Sequence, residues 1–256
     1  FFFKQKTAYE ISTRDWSSDV CSSDLLFPLP NLVMFPHVVQ ALHIFEPRYC
    51  ELLSDAIETD NLITLSILEP GWESNYQYQP RISKVVCIGR IISHTPLGDG
   101  RHNILLAGLH RARIVEELDV DTSFRQARVE VLPEVPFDDD VQEEAARLEL
   151  LRLFRIVLPA ELSASSAFTE LLSQNLSLSL LTDIVAYAVN LSTTVKYSLL
   201  AETRVERRYE ILMDELTQLD IPEIDSIESE ANEGESGAPE PPRKLWRDGP
   251  PPFSPN

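Results

Sequence analysis

The stretch "LFPLPNLVMFPHVVQALHIFEPRY", residues 26–49, decides the fold. Two apolar runs flank Pro36, which cannot donate to a sheet ladder and is therefore confined to an edge, a strand start or a bulge. The pattern predicts a short strand at 32–35, a break, and a second strand at 38–45 rich in β-branched and aromatic residues. Glu46 and Pro47 then open a helix. Over 46–59 the residues Tyr49, Leu52, Leu53, Ala56 and Ile57 recur at helical spacing and make one apolar stripe, with Pro47 acceptable in the first turn.

Working outward, further strands are expected at 62–68, 84–94, 103–115 and 124–132, with "PLGDG" (96–100) supplying hairpin turn chemistry between the middle two. Gly89 inside a strand marks a bulge or a close backbone approach. Pro133 and Pro136 end this β-rich part. Acidic residues lead into a helix at 141–157, with Ala145, Leu148, Leu151, Phe154 and Val157 as its apolar positions and Pro159 as its stop. More helices are expected at 167–176, 180–190, 194–200 and 203–219. Short connections between them imply a packed bundle.

Four stretches in order, "LFPLPNLVMFP" (26–36), "LHIFEPRY" (42–49), "DGRHNILLAGLHRARI" (99–114) and "FRQARVEVL" (124–132), resemble the N-terminal domain of Lon proteases. The resemblance implies an α+β protein. A PUA-like β-barrel domain with one amphipathic helix would occupy 26–137, and an α-helical bundle 138–219. It also implies a substrate-recognition role, with the candidate protein-binding residues Phe45, Glu46, Pro47 and Arg48 at the strand-to-helix junction. The plain alternative is that Glu46 and Arg48 merely stabilise the helix start and that Phe45 is core. Gln40 and Ala41 depart from the family, which commonly has a proline before the leucine matching Leu42, so strand pairing there should be more regular.

Residues 1–25 fit neither part. They lack helical or strand periodicity, resemble translated sequencing-adapter read-through, and are read as an artefactual or disordered extension. Residues 220–256 are rich in Pro, Glu, Ser and Gly and are expected to be a disordered acidic tail, with "RKLWRD" (243–248) as a basic and aromatic island.

The chain of 256 residues carries a net charge of −19, which repels nucleic acid and anionic membranes rather than attracting them. Cys21, Cys50 and Cys87 stand in no paired spacing and suit a reducing, cytoplasmic setting. No apolar run reaches the roughly 18 residues that span a bilayer. A G-x-x-x-x-G-K-[ST] loop is missing, as is a G-x-S-x-G elbow, so neither an ATPase nor a peptidase is expected, and no catalytic residue is assigned. His94, His102 and His110 recur every eight residues without paired cysteines, and neither a metal site nor a cofactor is expected. Arg111 and Arg113, near Arg101, Arg125 and Arg128, are the one place for RNA. Pairing with Glu116, Glu117 and Glu130 across strands is the plainer expectation.

Together with these absences, the resemblance implies a non-catalytic binder of unfolded or degron-bearing proteins or peptides, with a separate protease or chaperone as a further partner. Binding is expected in an apolar groove between the two domains. A PUA-like small-molecule or RNA-binding module is the competing expectation.

Overall fold

The computed structural model describes residues 23–76, 79–158 and 176–219. The helix expected at 167–176, the tail with its "RKLWRD" island and Cys21 therefore lie outside the described residues. Those described belong to one compact unit, Phe1–Asp220.

Six strands and, among the described residues, five α-helices make a mixed α+β fold. The strands are β1 (Ser23–Leu29), β2 (Val39–Ile44), β3 (Leu62–Ile67), β4 (Val85–Pro96), β5 (His102–Leu118) and β6 (Arg125–Val131). Helix α1 (Pro47–Glu58) lies among them. Helices α2 (Asp140–Val157), α3 (Leu178–Ala188), α4 (Thr193–Ala201) and α5 (Val205–Gln218) follow. The sheet order is β2-β5-β4-β3-β1-β6, and the C-terminal half of the long β5 also pairs with β6. All pairings are antiparallel except β1 with β3.

The first strand differs from expectation. It is Ser23–Leu29, reaching into the segment set aside as an extension, and Ser23 to Leu26 pair with Arg128 to Arg125 of β6. Pro28 is tolerated because the β1–β6 ladder ends at Leu26, so its missing N–H forfeits no bond on that side. Residues 32–35 form no strand. Asn31 (φ 56°) and His37 (φ 65°) bend the chain at either end of the run, and Val33, Met34 and Phe35 are buried as irregular backbone.

Gly108 explains where that backbone goes. A Cβ there would stand 2.0 Å from the Phe35 carbonyl oxygen, so only glycine lets residues 35–37 cross over β5. The His37 amide donates to Gly108 O at 2.9 Å, and the Gly108 amide to Val38 O at 2.9 Å. At Gly89 the β4–β5 register shifts, and Leu106 packs against the bare Cα.

Helix α1 buries Tyr49, Leu52, Leu53 and Ala56 of its predicted stripe, while Ile57, the fifth member, is exposed near the helix end. Helix α2 begins on Asp139, whose carboxylate accepts from the amides of Val141 and Gln142 at 2.9 and 3.1 Å. Its buried face is Ala146, Leu150, Leu153 and Phe154, while Leu148 is 55% exposed. Two apolar registers compete on that helix, and the expected one shares only Phe154 with the stripe that packs.

Candidate functional site

The junction Phe45–Arg48 joins the end of β2 to the first turn of α1. Phe45 is 61% exposed, so it is not core, and its ring faces His43 at 5.9 Å between centroids. The two residues that flank Pro47 are tied down. Arg48 donates to Glu46 Oε2 through Nε at 3.1 Å and Nη2 at 2.8 Å, and the Tyr76 hydroxyl donates to Glu46 Oε1. The Arg48 guanidinium also lies over the Tyr76 and Tyr49 rings, 4.7 and 4.9 Å from their centroids. Burial pushes the Tyr49 hydroxyl well above the usual range, and burial with the Glu46 bond raises Tyr76. Neither tyrosine ionises near neutral pH, and both serve as hydrogen-bond donors. Pro47 stands at the start of the helix, where the amide it lacks would have no intrahelical partner.

Behind this junction lies a polar cavity of about 440 Å³. Arg48, Tyr49 and Tyr76 line one side, and Glu117 to Val120 with Phe124 and Arg125 the other. It sits within the β-rich part, not at the junction with the helices where a groove was expected. That junction is filled instead. Arg111 of β5 donates to both oxygens of Asp183 on α3 and, through Nε, to the Leu200 carbonyl at 3.2 Å. Arg208 of α5 donates to Asp183 at 3.2 Å and to Glu134 and Ser179. Nearby, the Val85 amide donates to Tyr197 Oη at 3.2 Å.

The arginine strip considered for RNA is accordingly not a strip. Arg111 is 5% exposed and faces the helices, while Arg113 pairs with Glu130 at 2.9 Å on the surface. Arg125 pairs with Glu117 and Arg128 with Glu116, the cross-strand partners expected of them. Sequence reasoning missed Asp183 and Arg208. The available signal was a lone Asp within the apolar helix α3 and an Arg flanked by Val205 and Leu212 at helical spacing.

The β4–β5 hairpin brings His94 Nε2 and His102 Nδ1 to 2.8 Å, and His110 lies further along β5 opposite Ile88. Among the described residues no group of three or more His, Cys, Asp or Glu side chains gathers around a point that could hold a metal. Cys87 is fully buried in β4, and burial pushes its thiol up to about 12, too high for a nucleophile near neutral pH. No described helix is long and apolar enough to cross a membrane.

Comparison with known proteins agrees with this architecture. The family model of the ATP-dependent protease La (LON) substrate-binding domain matches residues 25–218. The Lon protease of Anaeromyxobacter dehalogenans is 23% identical over 193 residues, 75% of this chain and 23% of that protein. That of Rhizobium meliloti is 27% identical over 185 residues, 72% of this chain and 23% of that protein. The chain thus spans about a quarter of the length of these relatives. Among solved structures, the N-terminal domain of Mycobacterium avium complex Lon protease superposes with a TM-score of 0.59 at 20% identity. It covers 77% of this chain and 100% of that one. A Lon N-terminal domain protein from Xanthomonas campestris gives 0.55 at 22% identity, covering 76% and 98%. At these identities the likeness speaks to the fold.

Proposed function

Because the chain belongs to the family of the Lon substrate-binding domain, we propose that it is a non-catalytic module that binds proteins or peptides, taking unfolded or degron-bearing chains as clients for a separate protease or chaperone. The strand ring from β5 through β4, β3, β1 and β6 back to β5 is read with it as a PUA-like barrel, the expected 26–137 extended back to Ser23 by β1, carrying the helical bundle 138–219. The observation that carries the reading is Phe45. A phenylalanine mostly in solvent, on a junction whose neighbours Glu46 and Arg48 are fixed by Tyr76, is a rigidly presented apolar contact whose ring partner among the described residues is His43. Glu46, Pro47 and Arg48 act by holding it there, and Arg48 also lines the polar cavity behind it.

An RNA-binding reading has less support, since Arg111 is committed to Asp183 and Arg113 to Glu130. The test is capture of a reduced, permanently unfolded model protein by the full chain, against the folded form of the same protein, at low and high salt. Selective capture that tolerates salt is expected. Phe45→Ser should weaken it by about tenfold or more, the loss of roughly 1.5–3 kcal/mol for one buried phenylalanine. Equal capture by the variant overturns the role of Phe45, and binding of an RNA pool that falls steeply with salt overturns the protein-binding reading.

A further inference from the structure

Strand β2 ends the sheet. It pairs with β5 alone, through an unbroken register from Val39 opposite Ala107 to Ile44 opposite His102, and among the described residues no strand lies on its other side. Exposed strand edges in monomeric proteins are ordinarily blunted by charge, proline or a bulge, because a row of free N–H and C=O groups is a template for another strand. None of these devices is present between Val38 and Phe45, in a chain where a quarter of the residues are charged.

The direction of each peptide group follows from one hydrogen bond. Gly108 donates to Val38 O at 2.9 Å, so the Val38 carbonyl faces β5. In an antiparallel pair the orientation alternates, which turns the N–H and C=O of Val39, Ala41 and His43 toward the open edge. Their side chains lie on the exposed face, and Phe45 continues the row. Leu105 of β5, opposite Ala41, is also exposed. Two contacts already touch this edge. Gln40 Nε2 donates to Ala41 O at 2.7 Å, and its Oε1 accepts from the Tyr187 hydroxyl at 3.1 Å. An incoming strand displaces the first.

We propose that β2 is a docking edge on which an extended, uncharged segment of a client polypeptide adds as a further strand, its backbone held by Val39, Ala41 and His43 and its side chains meeting Phe45 and Leu105. The proposal rests on the protein-binding reading above and names the form of its client. Charge selects the occupant. The edge and the row beside it carry no Asp, Glu, Lys or Arg to meet a charged segment, whereas an apolar β-forming segment matches both the open backbone groups and the exposed face.

The test uses the full chain and a capped peptide of alternating threonine and valine, in three versions: unmodified, N-methylated at every threonine, and N-methylated at every valine. A strand on β2 turns only alternate amides toward the protein. One methylated version should therefore bind about tenfold more weakly or worse, the loss of two or three backbone hydrogen bonds, while the other stays within about twofold. Ala41→Pro removes an N–H from the open edge without touching the β5 ladder, a place where proline is tolerated. It should weaken the unmodified peptide by about two- to tenfold, the loss of one such bond, with the urea midpoint unchanged as the check on folding.

Equal effects of the two methylation patterns overturn the proposal. So does an Ala41→Pro variant that binds normally, or one whose effect is to dissociate a dimer, which would give the edge to a second copy. If unfolded protein is still captured in a Phe45-dependent manner while Ala41→Pro has no effect, the docking edge fails and the protein-binding reading survives. If neither peptide nor unfolded protein is captured, both fail.

Discussion

Replacing Asp183 with alanine tests what joins the helices to the sheet. Its carboxylate receives Arg111 through both terminal nitrogens and Arg208 through Nη1, and the exposures of the three side chains are 1%, 5% and 1%. Burial, then the neighbouring Arg111, pushes the Arg208 guanidinium below its ordinary value, and Asp183 and Glu134 oppose that shift. Without Asp183 two cations remain inside with incomplete compensation. Arg111 keeps only the Leu200 carbonyl among these contacts, while Arg208 keeps Glu134, a partner near the surface. Removing one member of a buried ion pair costs about 3–5 kcal/mol, because the charge left behind cannot reach water.

With Arg208 partly held by Glu134, the expected loss is about 4 kcal/mol, a large share of the roughly 5–15 kcal/mol that separates folded from unfolded domains. For a domain of this size that lowers Tm by about 8–16 °C. Urea melts followed by far-ultraviolet circular dichroism measure it: the midpoint should fall with the slope unchanged. The combined change Asp183→Leu, Arg111→Met and Arg208→Met should recover most of the loss, since it leaves no buried charge unpaired, and Glu134, which loses Arg208, lies near the surface where water can reach it. A single-variant loss below about 1 kcal/mol refutes the reasoning, and so does a triple variant no more stable than Asp183→Ala.

Gly108→Ala forces a Cβ to within 2.0 Å of the Phe35 carbonyl oxygen, a backbone atom that cannot swing aside, so the 35–37 crossing must lift off β5. The expected cost is about 3 kcal/mol or more by urea denaturation, and a loss under about 1 kcal/mol would mean that the crossing moves freely. Stability should also fall on acidification. Burial, with His37 and Arg90 adding to it, holds His110 below its ordinary value. Below about pH 6.5 the unfolded chain takes up a proton that the folded one refuses, so this contribution is complete at neutral pH and declines toward the depressed folded value. His110→Gln should flatten the difference between urea midpoints at pH 7 and pH 5.5; an unchanged difference assigns the acid sensitivity elsewhere.

The elements that sequence pattern revealed are those whose neighbours are local. Helix α1 shows an uninterrupted apolar stripe, and β4 and β5 flank a Gly-rich turn, so spacing alone places them. The first strand was hidden because its first three residues, Ser23 to Leu25, fell in the segment set aside as an extension, and the apolar run at 32–35 offered itself as the strand instead. Residues 32–35 look like a strand because they are apolar, but their burial comes from crossing Gly108, a contact between positions over seventy residues apart. Helix α2 offers two apolar registers, and only packing against α3 and α5 selects one. At the candidate site, the junction residues were visible as a resemblance, but not the hydroxyl of Tyr76, which fixes Glu46 from thirty residues away. Nor could Arg111 be told from Arg113 by pattern. Both sit in "HRARI", and only the placement of Asp183 on α3 makes one a buried strut and the other a surface ion pair.

The distribution of charge bears on how a client would be met. Arg48, Arg113, Arg125 and Arg128 each face a carboxylate, and Arg111 and Arg208 share one indoors. The basic groups nearest the candidate surfaces are thus matched locally, and the excess of acidic residues sets the long-range field. Such a field does nothing to draw in an uncharged segment, so association at the proposed Phe45 and β2 surface would depend on contacts made after encounter: apolar burial and backbone hydrogen bonds. Rates for unsteered association, about 10⁵–10⁶ M⁻¹s⁻¹ and insensitive to salt, follow from that arrangement. The same neutrality would let different sequences share one edge, because backbone groups are common to all of them and only the alternation of side chains would be read. On the docking proposal, a surface built this way would discriminate extended from folded chains before it discriminated one sequence from another.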